Sequence, residues 1–258
     1  MEEINIYEFI YNSKNKLHYW KKSEVALYLV GNFAEDISMY RQRNREYNLK
    51  GLIEQILKID FNQAMMKGYL KGRTLWCASQ LAEIVPKDFQ ELNMGFFQLA
   101  ISILIEENAN PNLCPLSVKL VATRCINKYS RKLKKEIQVF EQQQFEKILN
   151  QITFLLDNTS FESIYVPIEA LTQYSKLNED LVAHMAPKVT PKLLKLFRNY
   201  HNEGQLGQEL LNLFKIWTHY DKCRNIFVNT FIPFIIEIID NYYNSSANVD
   251  NKDQMLIP

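Results

Sequence analysis

Five times along this chain, apolar residues recur at i, i+3, i+4 and i+7, the spacing that lines one face of an α-helix. The sets are Ala26/Leu29-Val30/Phe33, Ala78/Leu81-Ala82/Val85, Ala122/Cys125-Ile126/Tyr129, Pro167/Ala170-Leu171/Tyr174 and Leu210/Leu213-Phe214/Trp217. Their first positions, 26, 78, 122, 167 and 210, lie 52, 44, 45 and 43 residues apart. Strands cannot use this period, because side chains alternate faces every second residue there. The one long interval holds the polar run Arg41-Gln42-Arg43-Asn44-Arg45-Glu46, which reads as a loop insertion.

Between these first-type helices lies a second apolar period. It is clearest at Phe89, Leu92, Phe96, Leu99 and Ile103, and it returns at Ile53-Ile56-Leu57, Phe145-Ile148-Leu149-Ile152-Leu155-Leu156, Val189-Leu193-Leu196-Phe197 and Phe227-Phe231-Phe234-Ile235-Ile238. Five helix pairs result, at the 40–47-residue period of HEAT and armadillo repeats. The predicted fold is all-α, an α-α superhelix of about five HEAT-type pairs. Residues 1–243 form one continuous solenoid segment, and residues 244–258 form a polar tail or an inter-repeat loop. Seven glycines and eight prolines agree with long helices and few turns. Several mark junctions: Pro86, the Asn108–Pro115 loop and Gly204, with Asn158-Thr159-Ser160 and Asn178-Glu179-Asp180 as helix-capping stretches. Pro233 lies near the start of a periodic segment.

The ends lack the polar caps that repeat arrays require. Ile4, Tyr7, Phe9, Ile10 and Tyr11 read as a second-type helix with no first-type partner before it, and the run Asn244–Asp253 leads only to Met255-Leu256-Ile257-Pro258. The expectation is an internal segment of a longer solenoid.

Thirty basic residues against 29 acidic give a net charge of +1, so no overall field steers the chain onto nucleic acid. Cys77, Cys114, Cys125 and Cys223 show no C-x-x-C spacing and read as packed, reduced thiols of a cytosolic or nuclear protein. Glu2-Glu3 replaces the basic start of a signal peptide, and the longest apolar run, Phe231–Ile239, is broken by Glu237, so no membrane insertion is expected. Of His18, His184, His201 and His219, only His219 has a possible co-ligand at i+4, Cys223; zinc needs three or four ligands, which favours a helix-end histidine beside a packed thiol. No G-x-S-x-G, H-E-x-x-H, P-loop or G-x-G-x-x-G motif occurs. Catalytic, cofactor and metal residues are therefore expected to be absent.

The remaining candidates have a bland reading beside a functional one. Gly68 and Gly72, among Lys67, Lys71 and Arg73, fit close helix packing or a helix entry. Arg131-Lys132-Lys134-Lys135 fits the solvated, dipole-complementing end of a helix before it fits a polyanion contact or localisation signal. Arg41, Arg43 and Arg45 fit a flexible inter-helix loop before a partner contact. Trp76, Tyr129, Tyr174 and Trp217 fit core packing. Arg73 and Arg124 fit pairing with acids of a neighbouring repeat. Glu91, Glu146 and Glu237, on second-type helices, are acidic positions with which to meet a basic partner.

Three blocks carry a resemblance: Trp20-Lys21-Lys22-Ser23-Glu24-Val25-Ala26-Leu27, Tyr69-Leu70-Lys71-Gly72-Arg73-Thr74-Leu75-Trp76-Cys77-Ala78-Ser79, and Ser117-Val118-Lys119-Leu120-Val121-Ala122-Thr123-Arg124-Cys125-Ile126. The last resembles the consensus first helix of a HEAT repeat, and Phe231-Ile232-Pro233 resembles the start of a HEAT second helix. In order and spacing the three blocks are similar to consecutive landmarks of the importin-9 branch of the importin-β family, with weaker similarity through Leu206–Leu210. Nothing here matches the family's N-terminal Ran-binding repeats or its long acidic loop. The resemblance implies a nuclear transport receptor that shuttles between cytoplasm and nucleus through the nuclear envelope. Its cargo would be basic proteins such as histones and ribosomal proteins, with Ran-GTP bound by the full-length protein. The alternative is a general HEAT scaffold, such as a phosphatase regulatory subunit or assembly platform.

Overall fold

A computed structural model describes residues 16–44, 47–61, 67–106, 115–200 and 203–241, with the backbone path alone at residues 16–18 and 134–143. The N-terminal segment Ile4–Tyr11, the 244–258 tail, Arg45, Cys114 and His201 lie outside these residues, as do the His18, Lys134 and Lys135 side chains. Among the described residues there are eleven helices and no strand, an all-α, solenoid-like packing of helix pairs. The helices are α1 (Lys16–Asn32), α2 (Ala34–Arg43), α3 (Leu49–Leu57), α4 (Lys67–Leu81), α5 (Gln90–Leu104), α6 (Leu116–Ser130), α7 (Lys134–Asn158), α8 (Tyr165–Ser175), α9 (Glu179–Tyr200), α10 (Gly204–Trp217) and α11 (residues 224–241). The five first-type sets fall on or run just past α1, α4, α6, α8 and α10, and the second-type sets on α3, α5, α7, α9 and α11. The chain divides into two compact units, Met1–Gln173 and Tyr174–Pro258.

In the first unit the first-type helices pack on one another, α1 against α4 and α4 against α6, while α3, α5 and α7 form a second row. Small residues permit the close approach: Ser23, Ala26, Ala78, Ser79 and Ala122 are buried along the first row. At Gly72 of α4, an added Cβ would lie 3.2 Å from Val118 Cγ2 of α6, so the glycine serves close packing as expected. Large apolar side chains fill the space between rows, including Leu75, Leu81, Phe96, Phe97, Leu104 and Ile126, each 0–1 % exposed. Burial of each such side chain stabilises the unit by about 1.5–3 kcal/mol.

The long first interval is filled differently from the loop expected there. Its Arg41 and Arg43 close α2, whose first turn carries Glu35 and Asp36. Acids at the positive N-terminus and bases at the negative C-terminus suit the helix dipole, so the polar composition supports a short surface helix. Arg41 also lies over the Phe89 ring, 5.6 Å from its centroid. At the next junction Asn48 caps α3, its Oδ1 accepting from the Gly51 N–H at 2.8 Å. At Asn158–Ser160, Thr159 ends α7, and Ser160 is the N-cap of a 3-10 turn, Phe161–Ser163, that precedes α8, with no side-chain bond to the backbone of that turn. Asn178 does cap α9, accepting from the Asp180 N–H at 2.7 Å.

The second unit is built around aromatic rings. Phe214 of α10 meets Phe231 of α11 at 4.5 Å between centroids, and Phe197 of α9 meets Phe214 at 6.2 Å and Phe234 at 6.4 Å. Within α11, residues Phe227–Phe231 form a π-helical turn in which the Ile232 N–H donates to the Phe227 carbonyl. Pro233 follows directly. Its ring crowds the carbonyl of the preceding turn and supplies no N–H, and widening that turn relieves both.

Candidate interaction surface

The repeats are joined by hydrogen bonds that start at fixed places in the pattern. Tyr129, the last residue of the third set, donates its hydroxyl to the carbonyl of Ala78, the first residue of the second set, at 3.0 Å. Trp217, last in the fifth set, donates its indole N–H to Ser175 Oγ at 2.7 Å, next to the last residue of the fourth set. Both rings are fully buried, as the core-packing reading of these aromatics expects. Burial pushes the Tyr129 hydroxyl well above the ordinary tyrosine range, so it stays a donor.

Lysines do the same work at helix ends. Lys119 of α6 is only 9 % exposed, and its ammonium donates to the Leu104 carbonyl at 3.1 Å, the Glu106 carbonyl at 3.4 Å and Gln151 Oε1 of α7. It thereby supplies donors to the carbonyls that end α5. Lys132 Nζ donates to the Val85 carbonyl at 2.6 Å, just past α4, and its pKa is lowered, first by burial and then by Lys87, against the raising effect of Glu83. Lys119 was not singled out in the sequence, where a lone lysine reads as solvated. One signal was available: it lies three residues before Ala122 and four before Thr123, on the buried face of α6.

On the surface, α1 and α4 share a layered group. The Tyr28 and Trp76 rings stack at 5.9 Å with an 18° tilt, and the Arg73 guanidinium lies 5.0 Å and 4.9 Å from their centroids. Glu24 Oε1 accepts from Arg73 Nε at 2.8 Å and from its terminal nitrogen at 2.7 Å. Gly31 makes room for the group, because a Cβ there would lie 2.3 Å from Trp76 Cζ3. Trp76, expected in the core, thus lies half-buried in a cation-aromatic stack. Tyr69, one turn before Arg73, is 68 % exposed.

Arg73 pairs with an acid of the neighbouring repeat, as expected; Arg124 instead donates to the Tyr165 hydroxyl and lies 5.5 Å from that ring. Arg131 is bound by Glu169 of α8 at 2.5 Å, which ties one member of the basic cluster to a neighbouring helix. Glu91 and Glu146 are exposed on α5 and α7, while Glu237 accepts from Arg198 at 2.8 Å. His219 bonds the Lys215 carbonyl at 2.7 Å through Nδ1 and is exposed, and His184 meets Lys188 at 3.1 Å. Cys223 is buried. Among the described residues, no three His, Cys, Asp or Glu side chains come together to hold a metal ion. Burial raises the thiols of Cys77, to about 12, and of Cys125, beyond that, so both stay protonated and unreactive at neutral pH. No described helix is long and apolar enough to cross a membrane.

Among the described residues, these side chains form cross-helix ion pairs and a cation-aromatic stack. The sequence matches no protein-family model, and a search of curated proteins finds no significant match.

Proposed function

We propose that this chain is a protein-binding segment of an importin-9-like nuclear transport receptor, without catalytic or cofactor chemistry of its own. One observation carries the reading: the three sequence blocks that resemble the importin-β family, Trp20–Leu27, Tyr69–Ser79 and Ser117–Ile126, lie on α1, α4 and α6, which pack on one another in that order. The exposed acids Glu91 and Glu146, on the neighbouring second-row helices α5 and α7, suit basic cargo such as histones and ribosomal proteins. The mechanism is geometric. Small rotations at each junction between stacked pairs add up, so an array grips or releases a folded protein without a chemical step. Ran-GTP binding and shuttling between cytoplasm and nucleus belong to the same reading for the full-length receptor.

The test is retention of purified core histones by the immobilised chain over a salt series. The expected outcome is retention that falls with salt and weakens in the Glu91→Lys/Glu146→Lys variant. If neither histones nor Ran-GTP are retained, the general HEAT scaffold is the better reading.

A further inference from the structure

Charge is divided between the two rows of the first unit. Along the first row, α1, α4 and α6 each carry three Lys or Arg residues, and Glu24 is the one acid on the three helices. In the second row, α3, α5 and α7 carry six acids against four bases. A net charge of +1 for the whole chain conceals this separation, and a local field needs only the local excess.

Part of the first-row charge is already committed. Lys119 is buried on carbonyls, Glu106 holds Lys71, and Glu24 holds Arg73. Lys21 and Arg124 are exposed, and among the described residues no carboxylate pairs with either. Each lies against an aromatic ring instead, Lys21 at 5.9 Å from the Trp20 centroid and Arg124 over Tyr165. A ring positions a cation without neutralising it, so the charge stays open to a carboxylate. Lys128 of α6 adds a third cation, met only loosely by Glu83 at 3.8 Å.

Apolar groups lie between these cations. Val25 and Leu29 follow Lys21 at one-turn intervals on the exposed side of α1. Tyr28, stacked on Trp76, carries that surface onto α4, where Tyr69 is exposed. Packed helices lie about 8–10 Å apart. A polyproline II backbone presents every third residue to one side, about 9 Å further along. An extended segment that crosses the row with an acid at every third position therefore meets about one cation per helix, and its intervening apolar residues meet Val25, Tyr28, Leu29 and Tyr69. Duplex nucleic acid carries about one charge per 1.7 Å of its axis, far denser than these cations.

The charge pattern and the spacing point to one occupant: the exposed face of α1, α4 and α6 docks an extended acidic segment of another protein, with apolar residues between its acids and with Lys21 and Arg124 as its anchors. The acidic second row, on which the transport reading draws, plays no part in this contact.

The experiment is fluorescence anisotropy of a labelled peptide of about 15 residues, repeating Glu-Pro-Leu, titrated with the full chain over a salt series. The expected result is saturable binding that falls with salt and that Lys21→Glu and Arg124→Glu each weaken at least fivefold, with helical content unchanged. Val25→Ser/Leu29→Ser, at positions already in solvent, should weaken it as well. Lys195→Glu, at an exposed position of α9, should leave it unchanged. Lys21→Gln and Arg124→Gln, which remove charge without reversing it, keep the test decisive if a reversal unfolds the chain. No saturable binding overturns the inference, and so does parent-like affinity in both anchor variants. Equal binding of oligothymidylate, or of a peptide of the same composition with its glutamates gathered at one end, overturns it too, because the face would then take any polyanion.

Discussion

The Tyr129 hydroxyl reaches the backbone carbonyl of Ala78, 51 residues earlier in the chain, at 3.0 Å inside a fully buried layer. Ala78 opens one apolar set and Tyr129 closes the next, so a single side chain fixes how far α6 is displaced along α4. Hydrophobic contact is non-directional and sets no such register by itself. A hydrogen bond does, because it weakens steeply when its angle or length departs from a narrow range.

Tyr129→Phe should lower stability by about 1 kcal/mol, the net worth of one hydrogen bond, because the Ala78 carbonyl keeps the Ala82 N–H at 3.0 Å. Tyr129→Ala should cost about 3–5 kcal/mol through the cavity it leaves. Urea unfolding of the two variants checks the ratio, and equal losses would mean that the ring contributes nothing beyond its hydroxyl.

Ala122→Asp should be among the most damaging single changes. Ala122 is 0 % exposed on α6, whose buried face meets α4 and α5, and an unpaired carboxylate there costs several kcal/mol, about 3 or more. Thermal melts read the effect. A parent-like melt would contradict the placement of the third apolar set.

Gly31→Ala should cost about 1–3 kcal/mol by overpacking, because the new Cβ would lie 2.3 Å from Trp76 Cζ3 while Tyr28 and Arg73 hold that ring in place. The loss should largely disappear when Trp76→Leu is made as well. Additive losses in the double variant would show that the two residues do not press on each other.

Lys119→Met keeps most of the side-chain volume but removes the donor to the Leu104 and Glu106 carbonyls. A loss of about 1–3 kcal/mol is expected, with faster amide exchange in the last turn of α5. Unchanged exchange in that turn would show that the ammonium does not hold it.

Stability should fall on the alkaline side. Cys77 and Cys125 hold their protons above the ordinary thiol value of 9.0, Cys77 up to about 12, because burial outweighs the opposing pull of Arg73 and Lys128. A raised folded-state pKa gives stabilisation that is complete below pH 9 and is lost as pH climbs through the folded value, for Cys77 between about 9 and 12. Each thiol contributes a slope of about 1.4 kcal/mol per pH unit there. Unfolding midpoints at pH 8 and 9.5 should diverge in the parent and converge in Cys77→Ala/Cys125→Ala.

The helix pairs were legible because the period of about 44 residues depends only on which residues are apolar. The inward face was less so. In the first set Leu29 and Phe33 are 48 % and 53 % exposed, while Tyr19, Ser23, Ala26, Leu27, Val30 and Ala34 are buried. α1 carries apolar residues on more than one face, and a single i, i+3, i+4, i+7 template cannot tell which stripe α4 covers. The same ambiguity shifted α5 by one position: Asn93, Phe97, Ala100 and Leu104 are buried where Leu92 and Leu99 were expected. Polar links across 30–50 residues, such as Lys119 to Gln151 or Arg73 to Glu24, leave no local signature and needed coordinates.

The lysine and tyrosine links also decide how the first unit answers a load. Aliphatic contact alone has no directional preference, whereas the bonds of Lys119, Lys132 and Tyr129 weaken steeply once one helix is displaced along its neighbour. Where these side chains cross from one helix to the next, they act as detents, and the stack of α4, α5, α6 and α7 is stiff to shear.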